Sequence, residues 1–516
     1  RGRVHEGLET RQLDAFQSHS IACHRLQQGS RKLSRDECVP NKTAFLPAMY
    51  PNEKPLHGNT LLLITIRPLA KLKRVRQNPF SLFKLDLAMA LQPDMDRLYD
   101  QLVEEEDTRV CKDIPDAACT NVPTNFFRQV AAIVLTGLGD TLANPKTTLA
   151  WLLGIVGAPT AMVAWLVPIR DSGSMLPQLF IATYIRQQPL RKPLWVIGSL
   201  AQAAALLAMG AAAWLTEGWL TGLLILGCLA LFSLARSVCS VAIKDVMGKT
   251  IPKTRRGRMH GMASSVAGTL ALAFGVYLML RPPADDNVLF YALLLVGSAM
   301  LWIVAAIIYQ QVEETPGATE GGGSAIREAL SRISLMRDDA PFRRFVLTRA
   351  LLLCSALSAP YYVVLGQEVE SSLSMLGAFL VANGLANSLS SMFWGRMADL
   401  SSRQVLTRAG LLASLLGPVV VGLYWWGGFP AAFFVLGIAH SGIRVGRKTY
   451  VLDMAGGNKR TDYVAVSNSI IGLLLLSAGF LGLLTTLVGP DGMLLLLSGL
   501  GLCGALLSLK LKEVQS

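Results

Sequence analysis

The chain has 516 residues, of which 52% are hydrophobic and 16% charged, with a formal net charge of +13. An average soluble domain carries roughly 25% charged residues, so this composition excludes an ordinary soluble protein and indicates a membrane protein. Its Lys and Arg residues sit in short connections between apolar runs, where they act as orientation signals, so the charge implies no nucleic-acid partner.

The first 124 residues are polar and differ from the rest. Residues 1–88 hold only one compact apolar run, Leu61 to Ile66. That is far short of the roughly 20 residues a membrane helix needs. The stretch reads as a partly disordered or non-native cytoplasmic region, with Met89 or Met95 as plausible native starts. Leu98, Leu102 and Val103 precede Glu104, Glu105 and Glu106 at helical spacing, which predicts a surface helix. Residues 125–146 follow as an amphipathic lead-in: Phe126 to Leu142 is interrupted by Arg128, Gly137, Gly139 and Asp140, and is expected to lie at the membrane surface.

Apolar segments then run from about Thr147 to Val167, Ser172 to Ile185, Pro193 to Leu215, Trp219 to Val241, Met259 to Leu280 and Val288 to Tyr309. A second set runs from Phe345 to Leu365, Ser372 to Trp394, Val405 to Trp426, Phe429 to Val451, Val464 to Val488 and Met493 to Leu509. The sequence therefore predicts an all-α, polytopic protein with 12 transmembrane helices. Residues 147–310 form one six-helix bundle and 342–512 the other, joined by a cytoplasmic linker at 311–341 that holds Gly321-Gly322-Gly323-Ser324. The second segment is short, so it either spans with neighbours tilted around it or is re-entrant. Even-numbered connections are basic, as in Lys253, Arg255, Arg256 and Arg258 between the fourth and fifth segments, which puts those loops and both termini in the cytoplasm.

The halves repeat. A shift of about 204 positions sets Ala235 on Ala439, Ser237 on Ser441, Lys244 on Lys448 and Gly268 on Gly472. A shorter echo sets Ser174-Met175-Leu176 on Ser374-Met375-Leu376. Such a repeat, embedded in apolar segments, is what a membrane protein built from two homologous bundles would show. After the eighth segment, Gly395, Asp399 and Arg403 follow at the spacing of a cytoplasmic loop signature, with Leu400 and Ser402 departing from it. With its two six-helix halves and linker, the chain resembles the major facilitator superfamily of secondary transporters over about Thr147 to Lys512. The resemblance implies alternating access, a substrate site near the bilayer midplane, close helix packing at Gly395 and a charge contact between Asp399 and Arg403 that breaks as the halves rock.

Ionisable and polar residues inside spans are costly and are the candidate site. Arg236 in the fourth segment maps by the repeat onto His440 in the tenth, and the two are expected to face one cavity. His440, with a reference pKa of about 6.5, motivates proton coupling. Arg444 lies one turn from His440 on a face that could attract an anion, and Asn383 and Asn387, four apart, could hydrogen-bond a substrate or glue helices together. Arg170 and Asp171 are expected in the first external turn. No catalytic motif, metal cluster, disulfide framework or cofactor site is legible: there is no HExxH or CxxC, and most of the six histidines lie in the polar front. The expected function is transport of a small solute, with protons, across the bacterial inner membrane by a monomer. The alternatives are a non-transporting receptor or assembly factor of the same fold, or a membrane-embedded lipid-handling protein or enzyme.

Overall fold

The computed structural model of the chain describes residues 119–515 except 179–180, 182–183, 186, 281–286, 318, 320–334, 424–427 and 455–458. The expectations for the polar front and for Gly321–Ser324 lie outside the described residues. Helices dominate what remains: α1 (Val122–Leu142), α2 (Thr148–Ile155), α3 (Thr160–Met175), α4 (Lys192–Leu215), α5 (Gly218–Thr250), α6 (Lys253–Met279) and α7 (Val288–Tyr309). The second half holds α8 (Ala340–Val369, broken at Leu353 and Ser358), α9 (Leu373–Leu423), α10 (Gly428–Met454), α11 (Lys459–Ala478) and α12 (Gly482–Ser508). Local chemistry sets several starts. Pro123, Pro193 and Pro341 occupy first turns, where a missing N–H costs nothing, and the side chains of Asn287 and Asp339 accept from the Leu289 and Phe342 amides.

Two long helices are bent pairs. α9 breaks at Ser401 (φ −163°, ψ 100°), and α12 breaks at Gly489 (φ 73°), a left-handed position that glycine adopts at low cost, just before Pro490. Nine helices among the described residues are long and apolar enough to cross a membrane, the first of them Lys192–Leu215.

The start of the bundle differs from the sequence expectation. Val122, Phe126, Val130 and Val134 recur every fourth residue on α1 and are buried against Met259, Ala263 and Ala267 of α6. Phe126 to Leu142 is thus a packed bundle element and not a surface helix. The chain breaks at Ala143–Thr147, continues through the wholly buried Leu149–Leu153 of α2, and turns at Gly157 (φ 68°) and Pro159. The expected single run from Thr147 to Val167 is therefore divided at Val156–Pro159. Its true turn is apolar and gave no polar break, while the polar Asn144-Pro145-Lys146 joins α1 to α2. α3 begins at Thr160 and ends at Met175; a turn at 176–177 follows, and the described residues 178, 181 and 184–185 are again helical. Cys119, just before α1, is disulfide-bonded, which the cysteine spacing did not anticipate.

The echo of Ser174-Met175-Leu176 in Ser374-Met375-Leu376 is not a structural repeat. Ser174 stands in the last turn of α3, whereas Ser374 stands in the first turn of α9, bonded to Ser372. A different equivalence appears instead. Five residues beyond α7, the buried Glu314 accepts from the Arg191 and Lys192 amides at the start of α4 and from Lys249 at 2.7 Å. Five residues beyond α12, Glu513 accepts from Ser401 at the α9 bend and pairs with Arg403 at 3.3 Å. In each half one carboxylate ties the end of the last helix to another element, the start of α4 in the first half and the bend of α9 in the second.

The halves meet at the end marked by Gly157, Met279 and Gly489. Gln367 on α8 donates to the Trp151 carbonyl at 3.1 Å, and Ser172 on α3 donates to the Gly472 carbonyl at 2.8 Å. α6 and α9 touch there and then diverge. An added Cβ at Gly377 would stand 2.7 Å from the Gly275 oxygen; at Gly275 it would meet the Val381 nitrogen at 3.1 Å, and at Gly268 the Ser388 hydroxyl at 4.0 Å. At Gly261 and Gly257 it would meet nothing within 4 Å. Overpacking a backbone contact costs about 1–3 kcal/mol. Gly377→Leu should lower thermal stability by an amount in that range, whereas Gly257→Leu should leave it unchanged; equal melting temperatures for both variants would refute this closure.

Candidate functional site

A cavity of about 360 Å³ lies between the halves, lined on one side by Asp140, Asn144, Lys146, Arg170, Asp171 and Arg236, and on the other by Ser355, Asn383, Asn387, Phe433, His440 and Arg444. Several of these residues fall near the middle of their helices or helical runs. Arg236 is central in α5, His440 in α10, Asp140 in the run from α1 to α2, and Ser355 in α8. Charge is placed at mid-depth, where lipid could not tolerate it and only an internal cavity can.

Asp140 is the centre of the first-half wall. Arg170 donates to its Oδ1 at 3.0 Å and Arg236 to its Oδ2, so one carboxylate holds two guanidiniums, and all three side chains are at most one-third exposed. Arg170 also stacks over the Phe232 ring at 5.0 Å, a face that favours a cation. The break before α2 swings Lys146 across the cavity, where its ammonium lies 3.3 Å from Nε2 of His440. An ammonium can only donate, so this hydrogen bond uses the unprotonated Nε2 and leaves the proton on Nδ1, which faces Ser355 Oγ at 3.2 Å. Asn387 donates to the Asn383 carbonyl at 2.9 Å, and Arg444 approaches Asn387 Oδ1 at 3.5 Å.

The structure brings together Arg236, His440, Arg444, Asn383 and Asn387 around this one cavity. It does not bring the loop signature there. Arg403 pairs with Glu513 rather than with Asp399, and Asp399 is exposed. Gly395 has open space where a Cβ would stand, so close packing does not explain it. Sequence reasoning missed Asp140 and Lys146, which it placed outside the membrane, and Arg170 and Asp171, which it placed in a turn. The available signal was Asp140 itself, an acid ending an apolar run of helical length.

Residues 344–516 match the family model of the Major Facilitator Superfamily. No curated protein matches the chain. Among solved structures, the chain is similar to a POT family transporter in complex with thioalcohol conjugated peptide, with TM-score 0.58, 11% identity, and coverage of 78% of this chain and 98% of that one. It is also similar to the nucleoside transporter NupG, with TM-score 0.57, 12% identity, and coverage of 74% and 99%. The inward open xylose transporter XylE from E. coli is a third, with TM-score 0.54, 12% identity, and coverage of 76% and 97%. These likenesses establish the fold.

Removing one partner of a buried ion pair leaves a charge uncompensated, at a cost on the order of 3 kcal/mol. Asp140→Ala should therefore destabilise the protein by roughly that amount, and adding Arg236→Gln should recover part of the loss. A double-mutant cycle in thermal unfolding that shows strict additivity would mean that the pair is not coupled.

Proposed function

We propose that this protein, a major facilitator superfamily member, is a secondary transporter that moves a small solute by rocking two six-helix halves about a central site. The observation that carries the proposal is the charged cavity at mid-depth between halves that pack closely at the Gly157, Met279 and Gly489 end and diverge along α6 and α9 towards the other. A receptor that had lost transport would be expected to fill this space with bulky apolar side chains, and the lining is mostly polar. The reading counts twelve passes: α1 with α2, then α3 to α8, the two arms of α9, α10, α11 with the first arm of α12, and the second arm of α12. It places the protein in the bacterial inner membrane as a monomer, with both termini in the cytoplasm, because the basic connections around Lys192, Lys253 and Arg403 share the end at which α6 and α9 diverge. On that orientation the structure is inward-facing.

The mechanism follows from the ion pairs. Asp140 ties α1 to α3 and α5, and a proton on it removes the charge that holds Arg170 and Arg236. Protonation would free the two guanidiniums to turn towards solute, and release of the solute would return them to the carboxylate. Proton coupling is thus assigned to Asp140, with His440 as a neutral lining group fixed by Lys146 and Ser355. Asn383 and Asn387 offer amides to the uncharged part of the solute, and Arg444 stands beside them. Glu314 and Glu513 keep each half rigid while it rocks.

The test is uptake and exchange of labelled solutes in proteoliposomes, with and without an imposed proton gradient. Wild-type protein should accumulate solute while the gradient lasts. Asp140→Asn, which keeps the shape and loses the titratable group, should retain solute exchange within a few-fold and lose accumulation. Gradient-driven accumulation by Asp140→Asn would remove Asp140 from the coupling step.

A further inference from the structure

The cavity has a side chamber of about 40 Å³ lined by Asp171, Arg349, His440, Arg444 and Arg447. Arg349 is 7% exposed, and its two terminal nitrogens donate to neutral acceptors, Ser467 Oγ at 2.6 Å and Asn468 Oδ1 at 2.8 Å. Its Nε is buried with no hydrogen-bond partner. Among the described residues no carboxylate forms an ion pair with Arg349, Arg444, Arg447 or Lys146. Six cations, these four with Arg170 and Arg236, line the cavity and its chamber against two carboxylates, and Asp140 is already shared by two of the six.

Cations taken out of water require compensation, and a guanidinium obtains it best from the paired oxygens of a carboxylate or phosphate. From this surplus we infer that the transported solute is a small organic oxyanion whose carboxylate or phosphate group enters the chamber between Arg349, Arg444 and Arg447. Its uncharged part lies in the main cavity against Asn383, Asn387 and Phe433. The inference rests on the transporter reading and adds the substrate class to it. A volume of about 360 Å³ suits a metabolite-sized molecule. Two arginines released from Asp140 by a proton would present further positive charge to the same anion, so proton and anion would enter together.

The experiment uses the full-length protein and a panel of carboxylates and phosphate esters of about two to six carbons, each beside its uncharged amide or alcohol: succinate with succinamide, glycerol 3-phosphate with glycerol. A diamine, putrescine, represents cations. Binding is read as a rise in melting temperature in detergent, and transport as exchange in proteoliposomes. Members of one oxyanion series should stabilise the protein and exchange, while their uncharged counterparts do neither; which series responds distinguishes carboxylate from phosphate. Arg444→Gln, at a half-buried position, should weaken anion binding at least 10-fold, and Arg349→Gln should do the same if it folds. Lys510→Gln, which removes an exposed cation outside the cavity, should change nothing. Exchange of uncharged or cationic solutes with the anions silent would overturn the inference and leave the transporter reading standing. Anions that bind without exchanging would overturn transport and with it the anion's role as cargo, leaving only an anion-binding site. Silence of every solute in both assays would overturn both.

Discussion

A charge placed inside a membrane helix persists only where another charge or a wet cavity compensates it. In this protein that constraint is met by one carboxylate, Asp140, held by Arg170 and Arg236 at the middle of the first bundle. The break at Ala143–Thr147 exists beside it and turns Lys146 towards His440 of the second bundle. The polar cavity, and the separation of the halves around it, follow from where these charges are held.

The two ends of the molecule are built for different tasks. At the closed end, small residues bring backbones together: Gly377 and Gly275 between α6 and α9, and Gly482 against Ala161 and Ala164 between α12 and α3. Such contacts gain from dispersion without tying the halves by long side chains, and in lipid small-residue faces are how helices associate. At the other end, carboxylates work within a half and not between halves, Glu314 on α4 and Glu513 at the bend of α9. Bundles that are stiff inside and lightly joined at one edge can rock as bodies.

Much of the architecture was legible from the chain. Long apolar runs separated by short basic connections predicted the helical character of the later chain, and the shift of about 204 placed Arg236 and His440 in corresponding parts of α5 and α10. The arrangement of α1 to α3 was not legible, for a physical reason. Hydropathy marks boundaries where polar residues cluster, and here the polar cluster, Asn144 to Lys146, serves the cavity while the real turn at Val156–Pro159 is apolar. Half of the cavity wall was misplaced for the same reason: Asp140, Lys146, Arg170 and Asp171 flank that displaced boundary. Arg349 offered a different difficulty. Nothing in its local sequence shows that its acceptors are neutral residues more than a hundred positions away.

The central claim is that the halves exchange which end is closed, and the most direct measurement is a distance across the open end. Spin labels at Gly257 on α6 and Gly395 on α9 would stand where neither position has an atom within 4 Å of an added Cβ. The account predicts two populations in the full-length protein, with the shorter distance enriched by a transported solute at low pH. A single distance that neither solute nor pH alters would contradict it.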